Sequence, residues 1–147
     1  MSLRDSVTAR CPKCGEEQEI QVWRSLNIGL DPEGRRQLLA GRVNVYDCGN
    51  CGTESLIDVD FLYHDSELEL AVQYYPFERL SDDGFLANFT LAGEFSMELP
   101  GGDAVRERAA YLLRPHIVFD MGELVRYVAF RERLFEVATG RDPHPEE

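Results

Sequence analysis

Polar and apolar residues alternate through Gln18-Glu19-Ile20-Gln21-Val22-Trp23, and this period of two, with β-branched and aromatic members, predicts a half-buried strand. Residues 1–9 ahead of it read as loose. Asp31-Pro32-Glu33 then marks a helix start, with Asp at the N-cap, Pro at the first helical position and Glu in the first turn. The helix runs through Leu38-Leu39 and stops at Gly41, a natural left-handed terminator. Arg42-Val43-Asn44-Val45-Tyr46-Asp47 alternates again and predicts a second strand.

From Thr53 to Tyr75 the pattern predicts a long hairpin. Ile57, Val59 and Phe61 share one face, and Leu68, Leu70, Val72 and Tyr74 share a face on the return strand. A turn near His64-Asp65-Ser66 sets Phe61 opposite Leu70 and leaves Asp58, Asp60, Glu67 and Glu69 together on the other face. Pro76 ends the second strand, and Ser81-Asp82-Asp83-Gly84 reads as a turn. Residues 85–102 fit no single pattern and close on Pro100-Gly101-Gly102; a short helix over 103–110 and a strand over 111–119 are expected beyond them.

The last element is a helix. Asp120 at the N-cap and Glu123 at the third helical position resemble a capping box, and Gly140 closes the segment. Between them Leu124, Tyr127, Val128, Phe130, Leu134, Val137 and Ala138 recur at helical intervals, interrupted by Arg131. A snorkelling arginine on an ordinary packing face accounts for that interruption; a helix-mediated homodimer is the alternative. Residues 141–147, with Pro143 and Pro145, form a flexible polar tail.

These elements predict one α+β domain over residues 1–147: a zinc-ribbon-like pair of knuckles with a helical insertion over about 8–52, then an antiparallel sheet and a C-terminal helix over about 53–140. A chain of 147 residues with 44% hydrophobic content can bury a core of its own. No apolar run reaches the roughly 18 residues of a membrane span, and Met1-Ser2-Leu3-Arg4-Asp5 lacks the apolar core of a signal peptide. The expectation is a cytoplasmic protein with no membrane role. The formal charge of −12 is uneven: residues 1–52 are neutral, residues 53–103 carry −11 and residues 104–147 carry −1. No segment clusters Lys and Arg as a nucleic-acid footprint requires, which sets that partner class last.

The chemistry lies in the four cysteines, arranged as Cys11-Pro12-Lys13-Cys14-Gly15 and Cys48-Gly49-Asn50-Cys51-Gly52. A two-residue gap lets both thiolates of a tight turn face one ion, and the following glycine permits the positive φ that turns backbone amides towards the sulfurs. Two such knuckles make a tetrahedral all-sulfur site suited to one structural zinc per chain, with Cys11, Cys14, Cys48 and Cys51 as ligands. The 33 residues between Cys14 and Cys48 supply strand, helix and strand. A redox dithiol is the competing reading. It needs an attackable low-pKa cysteine, usually at a helix N-terminus, whereas strand signals follow Cys14 and a second matching pair would go unexplained.

Cys-Pro-Lys-Cys-Gly, Val22-Trp23-Arg24-Ser25-Leu26-Asn27, Asp31-Pro32-Glu33 and Leu38-Leu39-Ala40-Gly41-Arg42-Val43-Asn44 resemble the CpXC family, an uncharacterised bacterial and archaeal group named for two Cys-Pro-X-Cys motifs. Leu62-Tyr63-His64-Asp65 and Gly122-Glu123-Leu124-Val125 extend the resemblance, which is dense to about residue 75 and thin afterwards. It implies a zinc site and no activity. Gly49 departs from the family's usual proline, a position that stiffens the turn but donates no sulfur.

The remaining polar residues have ordinary accounts. His64 beside Asp65 reads as a hydrogen-bonded turn, His116 follows a proline and His144 lies in the tail. No nucleophile elbow, phosphate loop or His-Glu-x-x-His stands in the chain, so no catalytic residue is assigned. Asp58, Asp60, Glu67 and Glu69, joined by Asp82 and Asp83, read as a solvated hairpin face, and as a patch for a basic partner or a divalent cation in the sharper version. Trp23, Tyr46 and Tyr63 read as core or cross-strand packing rather than a stacking platform. The leading expectation is a non-catalytic zinc-binding module for an unidentified protein partner. Behind it stand a small-molecule-binding protein or enzyme with a purely structural zinc, and then a nucleic-acid-binding ribbon.

Overall fold

Two antiparallel hairpins carry the cysteine turns at their tips, and a five-stranded sheet holds the core behind them. The structure, a computed structural model, describes residues 2–96 and 110–145. Strand β1 (Leu3–Arg10) pairs antiparallel with β2 (Glu17–Asn27), running from Leu3 opposite Ser25 to Arg10 opposite Glu17. The stretch read as loose is therefore a strand. Most of β1 is exposed, so the burial pattern that reveals a strand is missing from its sequence, while pairing with β2 fixes it.

Helix α1 (Pro32–Leu39) follows with Pro at its first turn, and Gly41 ends it at φ +72°. Asp31 stands at the N-cap position but its side chain makes no capping bond. Strands β3 (Val45–Asp47) and β4 (Glu54–Leu56) form a small ribbon of their own, with Tyr46 opposite Ser55. Strand, helix and strand thus separate the two knuckles as the alternation predicted.

The expected long hairpin is two structures. After β4 the chain kinks: Ile57 N–H donates to Asn44 C=O at 2.8 Å and Val59 N–H to Ile57 C=O at 3.1 Å. It then enters the main sheet as β5 (Phe61–Asp65), which pairs antiparallel with β6 (Leu70–Tyr74). The register sets Phe61 opposite Tyr74 and Asp65 opposite Leu70. His64 and Asp65 therefore belong to β5 and the turn falls over 66–69, where Glu69 takes φ +48°. Alternation ran unbroken through Glu67-Leu68-Glu69, which hid this turn from a periodicity argument.

The main sheet has the order β1-β2-β5-β6-β7, with β7 at His116–Val118. It is mixed rather than antiparallel throughout: β2 runs parallel to β5 and β6 parallel to β7. The connection through α1 and the β3–β4 ribbon returns the chain parallel to β2, a long crossover of the kind parallel neighbours need. All five residues of β6 are buried, so the hairpin is covered on both faces.

Pro76 follows the end of β6 as expected. A 3₁₀ turn (Phe77–Ser81) and a short helix α2 (Asp83–Leu86), capped by Asp82 accepting from Phe85 N–H at 3.2 Å, replace the simple turn read over 81–84. Of the strand expected over 111–119 only β7 forms, preceded by a 3₁₀ turn at Ala110–Leu113. The helix expected over 103–110 lies, but for its last residue, outside the described residues, as does the break at Pro100-Gly101-Gly102.

Helix α3 (Met121–Thr139) forms as its caps dictate: Asp120 accepts from Glu123 N–H at 3.0 Å and Gly140 adopts φ +72°. Leu124 and Val128 are fully buried, but Phe130, Leu134 and Val137 are exposed. α3 and α1 meet over the sheet through Glu132, 7% exposed, whose carboxylate takes both prongs of Arg35 at 3.1 Å from Nε. The core comprises Leu26, Leu38, Phe61, Tyr63, Val72 and Val128 among others, each burial contributing about 1.5–3 kcal/mol. The segment after α3 is not a free tail over residues 141–145, because His144 docks against Asp65.

Candidate metal centre

Each knuckle is the tip of a hairpin, and the two tips have one backbone geometry. Cys11 N–H donates to Glu16 C=O at 2.9 Å and Gly15 N–H to Cys11 C=O at 2.9 Å. In the second tip Cys48 N–H donates to Thr53 C=O at 2.9 Å and Gly52 N–H to Cys48 C=O at 2.8 Å. Gly15 at φ +77° and Gly52 at φ +75° close the two turns, a conformation that costs an L-residue roughly 1–2 kcal/mol. The glycine after each second cysteine therefore serves the turn, as the motif predicted.

The two tips face each other and bring all four sulfurs within 4.8 Å of one another. Cys11 Sγ lies 3.6 Å from Cys51 Sγ, and Cys14 Sγ 3.6 Å from Cys48 Sγ. A disulfide requires about 2.05 Å, so the four are free thiols. A tetrahedral ion with sulfur at about 2.3 Å places its ligands about 3.8 Å apart, which the closest observed separations approach. The donor set and its spacing fit a zinc-type ion held by Cys11, Cys14, Cys48 and Cys51. Such an ion would tie two hairpins together and leave no coordination position for a substrate.

The thiols differ in exposure. Cys11 and Cys48 are buried, at 2% and 3%, while Cys14 and Cys51 lie at the surface. The Thr53 hydroxyl, 3.2 Å from Cys51 Sγ, and the Thr53 backbone lower the Cys51 thiol to about 6. The Asn50 side chain and then the Glu16 backbone lower Cys14 as well. Both shifts favour the thiolates that a metal binds. Behind the site Tyr46 is buried, and burial, followed by the charges of Cys11 and Cys48, pushes its hydroxyl up.

Three supporting residues escaped the sequence reading. Thr53 stands two residues after Cys51, as Glu16 stands after Cys14, so internal comparison of the motifs offered a weak signal. Gln18 accepts from Gly49 N–H at 3.3 Å, and a Cβ at Gly49 would come within 2.6 Å of Gln18 Nε2. Proline at that position would remove the donor and force Gln18 aside, so the departure from Cys-Pro-X-Cys has a local partner. Asn44, placed in a strand and in the family-like stretch but given no role of its own, takes φ +56° and bonds the backbone of Trp23.

Of the other candidates, Asp58, Asp60 and Asp82 line one open cleft of about 400 Å³ together with Arg79, and the rest stand apart. Asp58 accepts from Tyr74 Oη at 2.9 Å and Asp60 pairs with Arg79 at 2.8 Å, both on the kinked link before β5. Glu67 and Glu69 lie in the turn at the opposite end of β5, so the expected acidic face does not exist. Asp82 caps α2 and Asp83 is exposed on it.

His64 is 5% exposed, with Nδ1 3.5 Å from Tyr111 Oη. His116 stacks on Tyr127 at 3.7 Å between ring centres, and burial lowers its pKa. Trp23 and Tyr63 are buried, with the Arg4 guanidinium 3.9 Å over the Trp23 ring. Arg131 reaches Tyr127 Oη at 3.3 Å and Leu68 C=O at 3.4 Å, as a snorkelling arginine should. Among the described residues no helix is long and apolar enough to cross a membrane.

The family model described as CpXC protein matches residues 9–145. No curated protein and no solved structure matches the chain.

Proposed function

The chain belongs to the CpXC family; from that membership we propose that it is a cytoplasmic zinc-binding protein whose four-cysteine site is structural and whose role is non-catalytic protein interaction. The observation that carries this reading is the convergence of four thiols from two matched hairpin tips. Zinc held there ties the β1–β2 and β3–β4 tips into one surface that neither hairpin could hold rigid alone, since short ribbons lack a core of their own. The ion's chemistry is that of a closed four-thiolate centre: it fixes loops and activates no water.

The partner reading draws support from α3, where Phe130, Leu134 and Val137, spaced by four and three residues, are 57%, 49% and 70% exposed. Residues at that spacing share one helix face, and a second copy of the chain is the first partner to test. A small-molecule reading rests on a different feature. An open cleft of about 510 Å³ is lined by Asp60, Tyr75, Arg79, Phe85, Phe89 and Phe95, with burial pushing the Tyr75 hydroxyl up to about 12.

X-ray absorption at the zinc edge of the loaded protein tests the structural role. Four sulfur neighbours near 2.3 Å, unchanged when small-molecule libraries or partner candidates are added, are the expected result. An oxygen or nitrogen neighbour would mean an open position and overturn the non-catalytic assignment.

A further inference from the structure

Asp65 is 2% exposed at the end of β5. Its Oδ1 accepts from Glu67 N–H at 3.0 Å within the turn to β6, and its Oδ2 lies 2.6 Å from His144 Nε2. That histidine arrives from 79 residues away in the chain. Gly140, left-handed at φ +72°, turns the backbone off the α3 axis. Asp142 Oδ1 then accepts from His144 N–H at 2.8 Å, and Pro143 and Pro145 flank the histidine. Two prolines and an Asx turn restrict the segment before it docks, which lowers the entropy lost on docking. The segment forms one wall of a groove of about 550 Å³, in which Pro143 and His144 stand with Ile28, Pro32, Arg35 and Arg36.

The charges facing His144 are few and largely matched. Arg35 from α1 takes Glu132 from α3 as its partner, and Arg36 takes Glu33. Tyr63 of β5 is electrostatically coupled to Glu132, Asp65 and Arg35, and its buried hydroxyl has no hydrogen-bond partner among the described residues. Tyr111, from the 3₁₀ turn before β7, faces Asp65 and Glu69. Asp142 lies on the segment itself. Asp65 is thus the carboxylate to which His144 is bonded, and at 2.6 Å the contact lies just below the roughly 2.7–2.9 Å of a charge-assisted N–H···O bond.

We propose that residues 141–145 form a proton-operated strap: charged His144 pins it to Asp65 beside the groove that the segment shares with α1, and loss of that proton releases it. Release takes away that wall of the groove and uncovers the Asp65 carboxylate. The bond to Asp65 raises His144 above its ordinary value of about 6.5. With a raised folded pKa the strap's contribution is fully present below about pH 6.5 and is lost as pH rises through the folded value.

Hydrogen exchange of the metal-loaded full chain, read on peptides covering residues 136–147 at pH 6 and pH 9 with times scaled for intrinsic rates, tests the device. Protection of the segment at pH 6 should fall at least tenfold at pH 9. His144→Gln should be unprotected at both pH values while β5 and β6 stay protected. Asp65→Asn keeps an acceptor for Glu67 N–H and should return the His144 ring titration, followed by NMR, to about 6.5. Equal protection of the wild-type segment at both pH values, or a His144→Gln segment as protected as wild type, would overturn the strap. Should Asp65→Asn fail to fold, the glutamine variant decides the question alone.

Discussion

Asn44 and Trp23 bond one another as two strands would: Asn44 Oδ1 accepts from Trp23 N–H at 2.7 Å and Asn44 Nδ2 donates to Trp23 C=O at 3.0 Å. One side chain satisfies both backbone groups of a buried residue on β2. It thereby ties the chain leading to the second knuckle onto the strand leaving the first.

Asn44→Ala should be strongly destabilising, since it leaves two buried backbone groups unsatisfied at about 1–3 kcal/mol each and places alanine at a positive φ. A melting temperature lower by roughly 5–20 °C is expected for a chain of this length. Asn44→Gly, which relieves only the backbone strain, should recover a minor part of that loss. Equal melting of alanine variant and wild type would remove the tie from the account.

Gly34 sits inside α1, where alanine ordinarily helps. Here a Cβ would lie 2.4 Å from Leu26 Cδ1 and 2.9 Å from Cδ2, on a fully buried leucine. Overpacking costs about 1–3 kcal/mol and outweighs the helix propensity gain of about 1 kcal/mol. Gly34→Ala should therefore lower stability to chemical denaturation, and a rise would show that α1 has room to lift from β2.

Glu132→Ala should cost about 3–5 kcal/mol, because it leaves Arg35 without its partner in a largely buried site. The double variant Arg35→Met with Glu132→Met should recover most of the loss, since apolar groups of similar volume often replace a buried pair without penalty. Urea unfolding of the two variants checks the contrast.

Much of this was legible where the cause is local. The cysteine spacing, Pro32 at a helix start, and Asp120, Glu123 and Gly140 around α3 each act within a few residues, and the structure places all of them as read. What escaped has its cause elsewhere in the chain. β1 is an edge strand whose side chains face solvent, so its pairing with β2 leaves no periodic trace. The turn over 66–69 was masked by an apolar Leu68 that keeps the alternation going, at 8% exposure, after the strand has ended. Parallel pairings of β2 with β5, and the reach of His144 to Asp65, depend on contacts that no local window contains. The apolar face of α3 was read as one stripe, whereas Leu124, Tyr127, Val128 and Phe135 pack on the core and Phe130, Leu134 and Val137 face solvent.

Thiol chemistry of the metal-free chain should follow exposure and acidity. Cys51, exposed and lowered to about 6, should be largely thiolate at pH 7 and be alkylated by iodoacetamide first, with Cys14 next. Buried Cys11 and Cys48 should lag well behind. Because the reactive form is the deprotonated one, the Cys51 rate should rise with pH through about 6 and level off above it. Thr53→Val should move that rise to higher pH; peptide mapping by mass spectrometry reads both, and four equal rates would contradict the site's asymmetry.

Native mass spectrometry of the protein expressed without added metal, repeated after chelation and paired with a thermal melt, decides whether the four thiols hold a structural ion. One zinc per chain is expected, lost on chelation together with the cooperative melt, and lost likewise in a Cys11→Ser, Cys48→Ser double variant. A chain that arrives metal-free, melts cooperatively and keeps four reactive thiols would contradict it, and Cys11 with Cys14 would then have to be examined as a redox pair.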